Sequence, residues 1–495
     1  MAVMTQVILM LSQLVLLPLQ VRLWGQSSTA LWYAALALAT VTYVVDCGLR
    51  TAGHSELIRA NADPLLHRDE YLHFLQIWSW IRVLIIIVTV GLVFFDFVMD
   101  RVLHSAPYPA WRLVLIVACA LETVLVIRIT FLDSLGLYRG AEASYFFFAV
   151  LRLALSLPAL LFFNFTSGGL AAIYLLTAAS ALLAQGRFLC SAIPLLQLTA
   201  KFPKLSWSVL ALARHTVAEP VANWARLSLP VLIIGQIAAP VAVTTYVALR
   251  AVFGAGRTTV QQLARVASVE VLRLRSLERL ARSTSFLTLF LVCAVLFGSC
   301  VGLFVIIDNM RILGLWLKHF DRPLFQQIAL AFALTAPFFS YQIPMNLLFR
   351  TGSLAWVARR HYSFAVYSAL FAGLSLMMKS LPLYLGLLVI AEITLSATFF
   401  VAGREETVLK GTRSGAAALQ SAALCSLTIF LFWVWARQST MELFSKWSFA
   451  PMLESALLLL ATILVLITIF YARYVGIIHS IRSPDSSTPV LAVAE

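Results

Sequence analysis

Residues 284–307 read TSFLTLFLVCAVLFGSCVGLFVII, a run without a single charged side chain. About 20 apolar residues in a helix cross a hydrocarbon core about 30 Å thick, and a helix apolar on every face has no soluble role outside a large core. This stretch therefore predicts a transmembrane helix. Working outward from it, further apolar windows separated by charged or turn-rich breaks predict helices at 2–23, 29–52, 76–99, 111–136, 142–163, 169–190, 219–239, 241–262, 325–349, 363–379, 382–402, 415–436 and 454–478. The fold class that follows is an all-α polytopic membrane protein of about 14 transmembrane helices, with almost no mass outside the bilayer.

Composition agrees. Of 495 residues, 61% are hydrophobic and only 12% charged, too little polar surface to cover a water-soluble domain. The net charge of +14 would suggest nucleic acid in a soluble protein. Here the excess falls in alternate loops: Arg59 and Arg68; Arg139; Lys201, Lys204 and Arg214; Arg265, Arg273, Arg275, Arg279 and Arg282; Arg359 and Arg360; Arg404, Lys410 and Arg413; and Arg482. The positive-inside rule then places both termini in the cytoplasm and removes the need for a nucleic-acid partner. The segment from Leu263 to Arg282 mixes five arginines with Val266, Val269, Leu272, Leu277 and Leu280. It reads as an interfacial helix lying on anionic membrane lipids, or more simply as a solvated basic linker. The N-terminus has no basic segment ahead of its apolar run, so a cleaved signal peptide is not expected.

Several chemistries lack their residues. There is no G-x-x-x-x-G-K-[ST], no H-E-x-x-H and no G-x-S-x-G. Cys47, Cys119, Cys190, Cys293, Cys300 and Cys425 lie singly within apolar stretches and read as free buried thiols. The histidines are scattered, so neither a metal site nor a cofactor is expected. A membrane-embedded polymerase or ligase needs a substantial outer loop, and the longest outer loops, near 308–324 and 436–451, are short. The chain reads as a non-enzyme.

Ionisable residues inside the spans carry the functional signal: Asp46, Arg50, Arg82, Glu122, Arg128, Asp133, Arg152, Arg226, Arg250 and Glu392. A charge at mid-bilayer costs about 2.5–3.5 kcal/mol on insertion scales, so such residues normally face a bundle interior or an aqueous cavity. Arginines outnumber carboxylates in the set, and guanidinium suits phosphate because it stays charged and presents a planar fork of donors. An anionic cargo is expected. Arg250 is the leading candidate, since apolar residues flank it on both sides. Arg82, Arg152 and Arg226 read either as cavity residues or as partners in structural ion pairs with Glu122 or Asp46, while Arg50 and Arg128 lie near enough to helix ends to snorkel. Asp46, Glu122 and Glu392 are candidates for a coupled proton or sodium site. Pro158, Pro230, Pro337 and Pro344 lie within spans and mark kinks. Gly25-Gln26 after Pro18 and Gly235-Gln236 after Pro230 hint at an internal duplication in two six-helix halves.

Five short motifs carry a family resemblance. They are Gln13-Leu14-Val15-Leu16-Leu17-Pro18 with Arg22-Leu23-Trp24-Gly25; Asp46-Cys47-Gly48-Leu49-Arg50; Leu135-Gly136-Leu137-Tyr138-Arg139; Leu227-Ser228-Leu229-Pro230; and Tyr246-Val247-Ala248-Leu249-Arg250. On these the chain resembles the polysaccharide flippase branch of the multidrug/oligosaccharidyl-lipid/polysaccharide exporter superfamily, the flippases of O-antigen and exopolysaccharide repeat units. The Tyr246-x-x-x-Arg250 pattern is also similar to one in the lipid II flippases, where the arginine belongs to a cationic central cavity. Unlike theirs, the first span here is uncharged before Arg22.

The resemblance implies two six-helix lobes in a V, residues 1–200 and 219–403, joined by a cytoplasmic linker at 201–218. Two further helices over 404–480 and a disordered cytoplasmic tail at 481–495 complete the expected plan. It implies a bacterial inner-membrane flippase moving an undecaprenyl-pyrophosphate-linked oligosaccharide by alternating access. Arg50 and Arg250 would contact phosphate, with Arg82, Arg128, Arg152 and Arg226 contributing further contacts or field. A polysaccharide polymerase and a chain-length regulator are the expected protein partners. The same fold would also serve a proton- or sodium-coupled exporter of small molecules.

Overall fold

The computed structural model describes residues 2–45, 48–50, 68–103, 109–134, 137–192, 207–276, 280–308, 322–350, 354–402 and 420–431. All regular structure in them is helical: α1 (Ala2–Ala39), a 3-10 turn (Thr40–Val44), α2 (Arg68–Leu103), α3 (Trp111–Ser134), α4 (Tyr138–Leu161), α5 (Ser167–Ala192), α6 (Trp207–Thr216), α7 (Ala218–Leu227), α8 (Leu229–Ile237) and α9 (Pro240–Ser276). After them come α10 (Leu280–Asp308), α11 (Arg322–Thr335), a 3-10 segment (Ala336–Tyr341), α12 (Gln342–Arg350), α13 (Leu354–Met378), α14 (Leu381–Ala402) and α15 (Gln420–Leu431). Ten helical segments among the described residues are long and apolar enough to cross a membrane. The predicted span 454–478 lies outside the described residues, as do the loop residues Arg59, Lys201, Lys204, Arg279, Arg404, Lys410, Arg413 and Arg482.

The two N-terminal spans meet without a loop. Their helices join at Gly25, whose backbone (φ 78°, ψ 171°) is far from helical and lies in a region that glycine alone adopts without strain. Eight residues along a straight helix advance about 12 Å, yet the rings of Trp24 and Trp32 sit 5.8 Å apart. Gln13 and Thr40 line one cavity. The chain therefore folds back at Gly25, and the two halves of α1 form a hairpin.

The expectation of a separate interfacial helix from Leu263 needs correction. Helix α9 continues unbroken from Pro240 to Ser276, because Arg265 to Ser276 contains neither proline nor glycine to stop it. The basic segment as far as Ser276 is the distal part of a long helix, Arg282 belongs to α10, and Arg279 lies outside the described residues. Cys293 departs from the buried-thiol expectation as well, being exposed, whereas Cys119 and Cys425 are buried.

The described helices form two compact units, one drawn from Met1–Val252, Leu313–Phe325 and Leu354–Leu388, the other from Phe253–Ile312, Gln326–Ser353 and Val389–Glu495. In the first, α3 packs on one side against α2 through Ile77, Ile81 and Ile85 with Ala120, Ile127 and Phe131. On its other side Leu125 meets Phe148 of α4 and the small residues Ala178 and Ala181 of α5, which let the helix backbones approach closely. The outer face of α2 presents Ile86, Ile87, Val90, Phe94 and Phe95, a surface suited to acyl chains rather than water.

In the second unit, Pro337 does what its position in a span predicts. Lacking an N–H, it interrupts the helical ladder, and the chain passes through the 3-10 segment before α12 resumes. This segment lies against α10 so tightly that a Cβ on Gly298 would fall 2.1 Å from the Ala336 carbonyl oxygen. Ring stacking of Tyr341 on Phe399 at 5.6 Å and of Phe253 on Phe332 at 5.1 Å completes this core.

Candidate functional site

A cavity of about 240 Å³ opens within the first unit. Its walls come from both arms of the α1 hairpin, from α3, α4 and α5, from the α7–α8 junction and from α9. Of the titratable residues singled out in the sequence, Glu122, Arg152 and Arg250 line it.

Arg152 is held on three sides. Its Nη2 donates to Glu122 Oε2 at 2.6 Å, and its guanidinium lies 4.2 Å from the Phe148 ring centre and 4.1 Å from that of Tyr174. Only 7% of the residue is exposed. Both readings of Arg152 are thus realised, since the residue is a cavity wall and half of an ion pair. Cation–π contact and the charge-assisted hydrogen bond together fix its orientation.

Arg250 is positioned by a break in the neighbouring helices. Pro230 has no N–H to offer and α7 gives way to α8 at Ser228. The Val231 N–H bonds to the Ser228 carbonyl, at 3.1 Å, in place of the Leu227 carbonyl four residues back. Arg250 Nη1 donates to that Leu227 oxygen. Across the same junction, Thr40 Oγ1 and Ser228 Oγ are 2.8 Å apart and Trp224 Nε1 donates to the Ala37 carbonyl at 3.2 Å. The break at Ser228 thus leaves the Leu227 carbonyl to the arginine, and hydroxyl and indole contacts tie the junction to the first helices.

The other predicted arginines are not on the lining. Arg82 and Arg128 flank the Trp78 ring at 5.7 and 6.0 Å; Arg82 also donates to Ser79 Oγ and Arg128 to the Leu182 carbonyl. Arg226 is buried over Phe364 at 4.7 Å, and Arg50 is half-buried beyond Gly48. Glu392 belongs to the second unit, and Asp46 lies outside the described residues. Among the described residues the structure brings together Arg152, Arg250 and Glu122 of the predicted set, so that two guanidinium groups face one carboxylate there.

Most of the polar lining carries no charge and escaped the sequence reading: Ser12, Gln13 and Gln20, then Tyr33, Thr40, Tyr43, Tyr174 and Ser228. A signal was present. Ser12, Leu16 and Gln20 recur at four-residue spacing, with Leu9 and Gln13 beside them, which sets a polar stripe on one face of an apolar helix. No group of His, Cys, Asp and Glu among the described residues has the arrangement to hold a metal ion.

No protein-family model matches this sequence, and no curated protein matches it. Solved structures do match. The chain superposes on the lipid II flippase MurJ in an inward closed conformation with a TM-score of 0.61 at 14% identity, covering 95% of this chain and 98% of MurJ. A multidrug resistance MATE family transporter of the MOP superfamily, inward-facing, matches with a TM-score of 0.58 at 14% identity over 83% of this chain and 99% of its own. The chain has the fold of the MOP-superfamily transporters. A MATE structure in complex with MaL6 matches in the same way, with a TM-score of 0.57 at 14% identity over 81% and 95% of the two chains. These MOP-fold neighbours are transporters and flippases rather than enzymes, and their multi-pass architecture accords with the apolar helices of this chain.

Proposed function

We propose that this protein is a flippase for a lipid-linked oligosaccharide, an undecaprenyl-pyrophosphate-linked repeat unit used in polysaccharide biosynthesis at the bacterial inner membrane. The observation that carries the reading is the placement of Arg250 and Arg152 in a cavity walled by transmembrane helices. Glu122 neutralises Arg152, while among the described residues no carboxylate lies within ion-pair distance of Arg250. Arg250 is therefore the residue that meets the anionic head of the cargo, while the polyprenyl tail stays in lipid. The MurJ-like fold over nearly the whole of both chains supports a lipid-linked passenger. Arg50, Arg82, Arg128 and Arg226 are assigned no contact with it.

The test is complementation of a strain blocked in repeat-unit translocation. The wild-type chain restores polymer, Arg250→Ala does not, and Arg250→Lys restores part. Full activity of both variants would remove Arg250 from the mechanism.

One observation favours a second reading, the proton- or sodium-coupled exporter of a small molecule: Glu122, a carboxylate in the cavity, together with the MATE-like fold. That reading expects drug extrusion that Glu122→Gln abolishes and no rescue of polymer synthesis.

A further inference from the structure

Resting on the flippase reading, we infer that the cavity of the first unit is a glycosyl subsite, which takes the hydroxyls of the first sugar rather than the pyrophosphate. The charge balance argues this first. A pyrophosphate bridge is a strong, acceptor-only anion, whereas the lining formed by the described residues offers one net positive charge and includes the Glu122 carboxylate, which repels phosphate. Arg250 can meet the phosphate that adjoins the sugar, but the remaining wall is wrong for a second one.

The uncharged wall has the complementary chemistry. A sugar hydroxyl both donates and accepts, and so do the hydroxyls of Ser12, Thr40, Ser228 and the three tyrosines, with the amides of Gln13 and Gln20 offering both functions on separate atoms. Two atoms stand out. Gln20 is 1% exposed and its Oε1 has no hydrogen-bond partner among the described residues; the same is true of Arg152 Nε. One is an acceptor and the other a donor, both on side chains of the cavity wall. Burying such atoms unsatisfied is costly, and a small rotation of the Gln20 amide toward the cavity lets a sugar hydroxyl satisfy it. Size points the same way. At about 240 Å³ the cavity is smaller than the pockets of roughly 300–1,000 Å³ that enclose drug-sized ligands, so it accepts one sugar residue and leaves the rest of the oligosaccharide outside.

The test measures binding of polyprenyl pyrophosphate, bare or bearing a single glucose, galactose or N-acetylglucosamine, to the purified full-length chain in lipid nanodiscs. At least one glycosylated lipid is expected to bind more tightly than the bare one. Gln20→Leu and, separately, Gln13→Leu are expected to reduce that glycosylated affinity about tenfold, the worth of one buried hydrogen bond, with the affinity for bare lipid held within about twofold on the same scale. Each variant is scored only as the monodisperse fraction, and Ser12→Ala stands in for either that does not fold. Equal affinity for all four lipids, or equal loss for bare and glycosylated lipid in the variants, overturns the glycosyl subsite alone. Failure of all four lipids to bind the wild-type chain overturns the flippase reading with it.

Discussion

Arg152 reaches across from α4 to hold Glu122 of α3 at 2.6 Å, with the guanidinium enclosed between the rings of Phe148 and Tyr174. A buried charge without its partner is expensive, and breaking such a pair from one side costs about 3–5 kcal/mol, whereas replacing both members by apolar residues is often neutral. Glu122→Leu and Arg152→Met are each expected to lower the melting temperature of the detergent-solubilised protein markedly. The double variant recovers most of the loss. Thermal unfolding followed by size-exclusion chromatography reads both effects, and additive losses in the double variant would show that the two side chains are not coupled.

Gly48 follows the 3-10 turn and has φ +77°. A Cβ there would lie 2.3 Å from both the Ala213 carbonyl oxygen and Thr216 Oγ1, and the Thr216 hydroxyl donates to the Gly48 carbonyl at 3.0 Å. Backbone strain of about 1–2 kcal/mol adds to overpacking of about 1–3 kcal/mol. Gly48→Ala is expected to reduce the folded yield severalfold in the membrane. A yield equal to wild type would contradict the packing described at this turn.

The 3-10 segment in the second unit makes a parallel case without positive φ. Gly298→Ala must push α10 from the Ala336 carbonyl, at a cost of about 1–3 kcal/mol, while Gly254, which has nothing within 4 Å of its would-be Cβ, accepts alanine freely. The two variants should therefore differ clearly in thermal stability, with Gly298→Ala the lower.

Much of this architecture was legible from sequence because a lipid solvent leaves a plain record. Apolar windows marked the long helices from 76 to 402, Gly25 marked the hairpin, and Pro337 marked the 3-10 break, whereas α6 falls inside the expected linker 201–218 and in no apolar window. Arg152 and Arg250 could be singled out because a guanidinium inside a span needs a reason. What stayed hidden was of two kinds. Continuity of α9 past Arg265 was missed because basic amphipathic sequence reads alike whether it lies on a membrane or prolongs a helix. The neutral polar wall was missed because Gln20, Tyr33 or Ser228 costs little enough in a span to carry no alarm, and only their convergence in space reveals a site. Arg82 and Arg128, equally conspicuous in sequence, instead share the Trp78 ring.

Arg226 and Arg250 lie on adjoining elements of the first unit but have different surroundings, one over Phe364 and one at the cavity. Arg226→Ala is expected to lower stability through lost packing and a lost cation–π contact of about 0.5–2 kcal/mol, with translocation per folded molecule close to wild type. Arg250→Ala is expected to do the reverse. Polymer synthesis normalised to membrane-inserted protein separates the two.

The most direct measurement is translocation itself. The purified chain is reconstituted into vesicles loaded on one leaflet with polyprenyl-pyrophosphate-linked oligosaccharide, and arrival of the sugar on the other leaflet is followed by an impermeant glycosidase. The account predicts transfer by the wild-type protein and loss of most of it in Arg250→Ala at equal protein content. Transfer that is undiminished in Arg250→Ala, or wild-type vesicles that move no more lipid than empty ones, would contradict it.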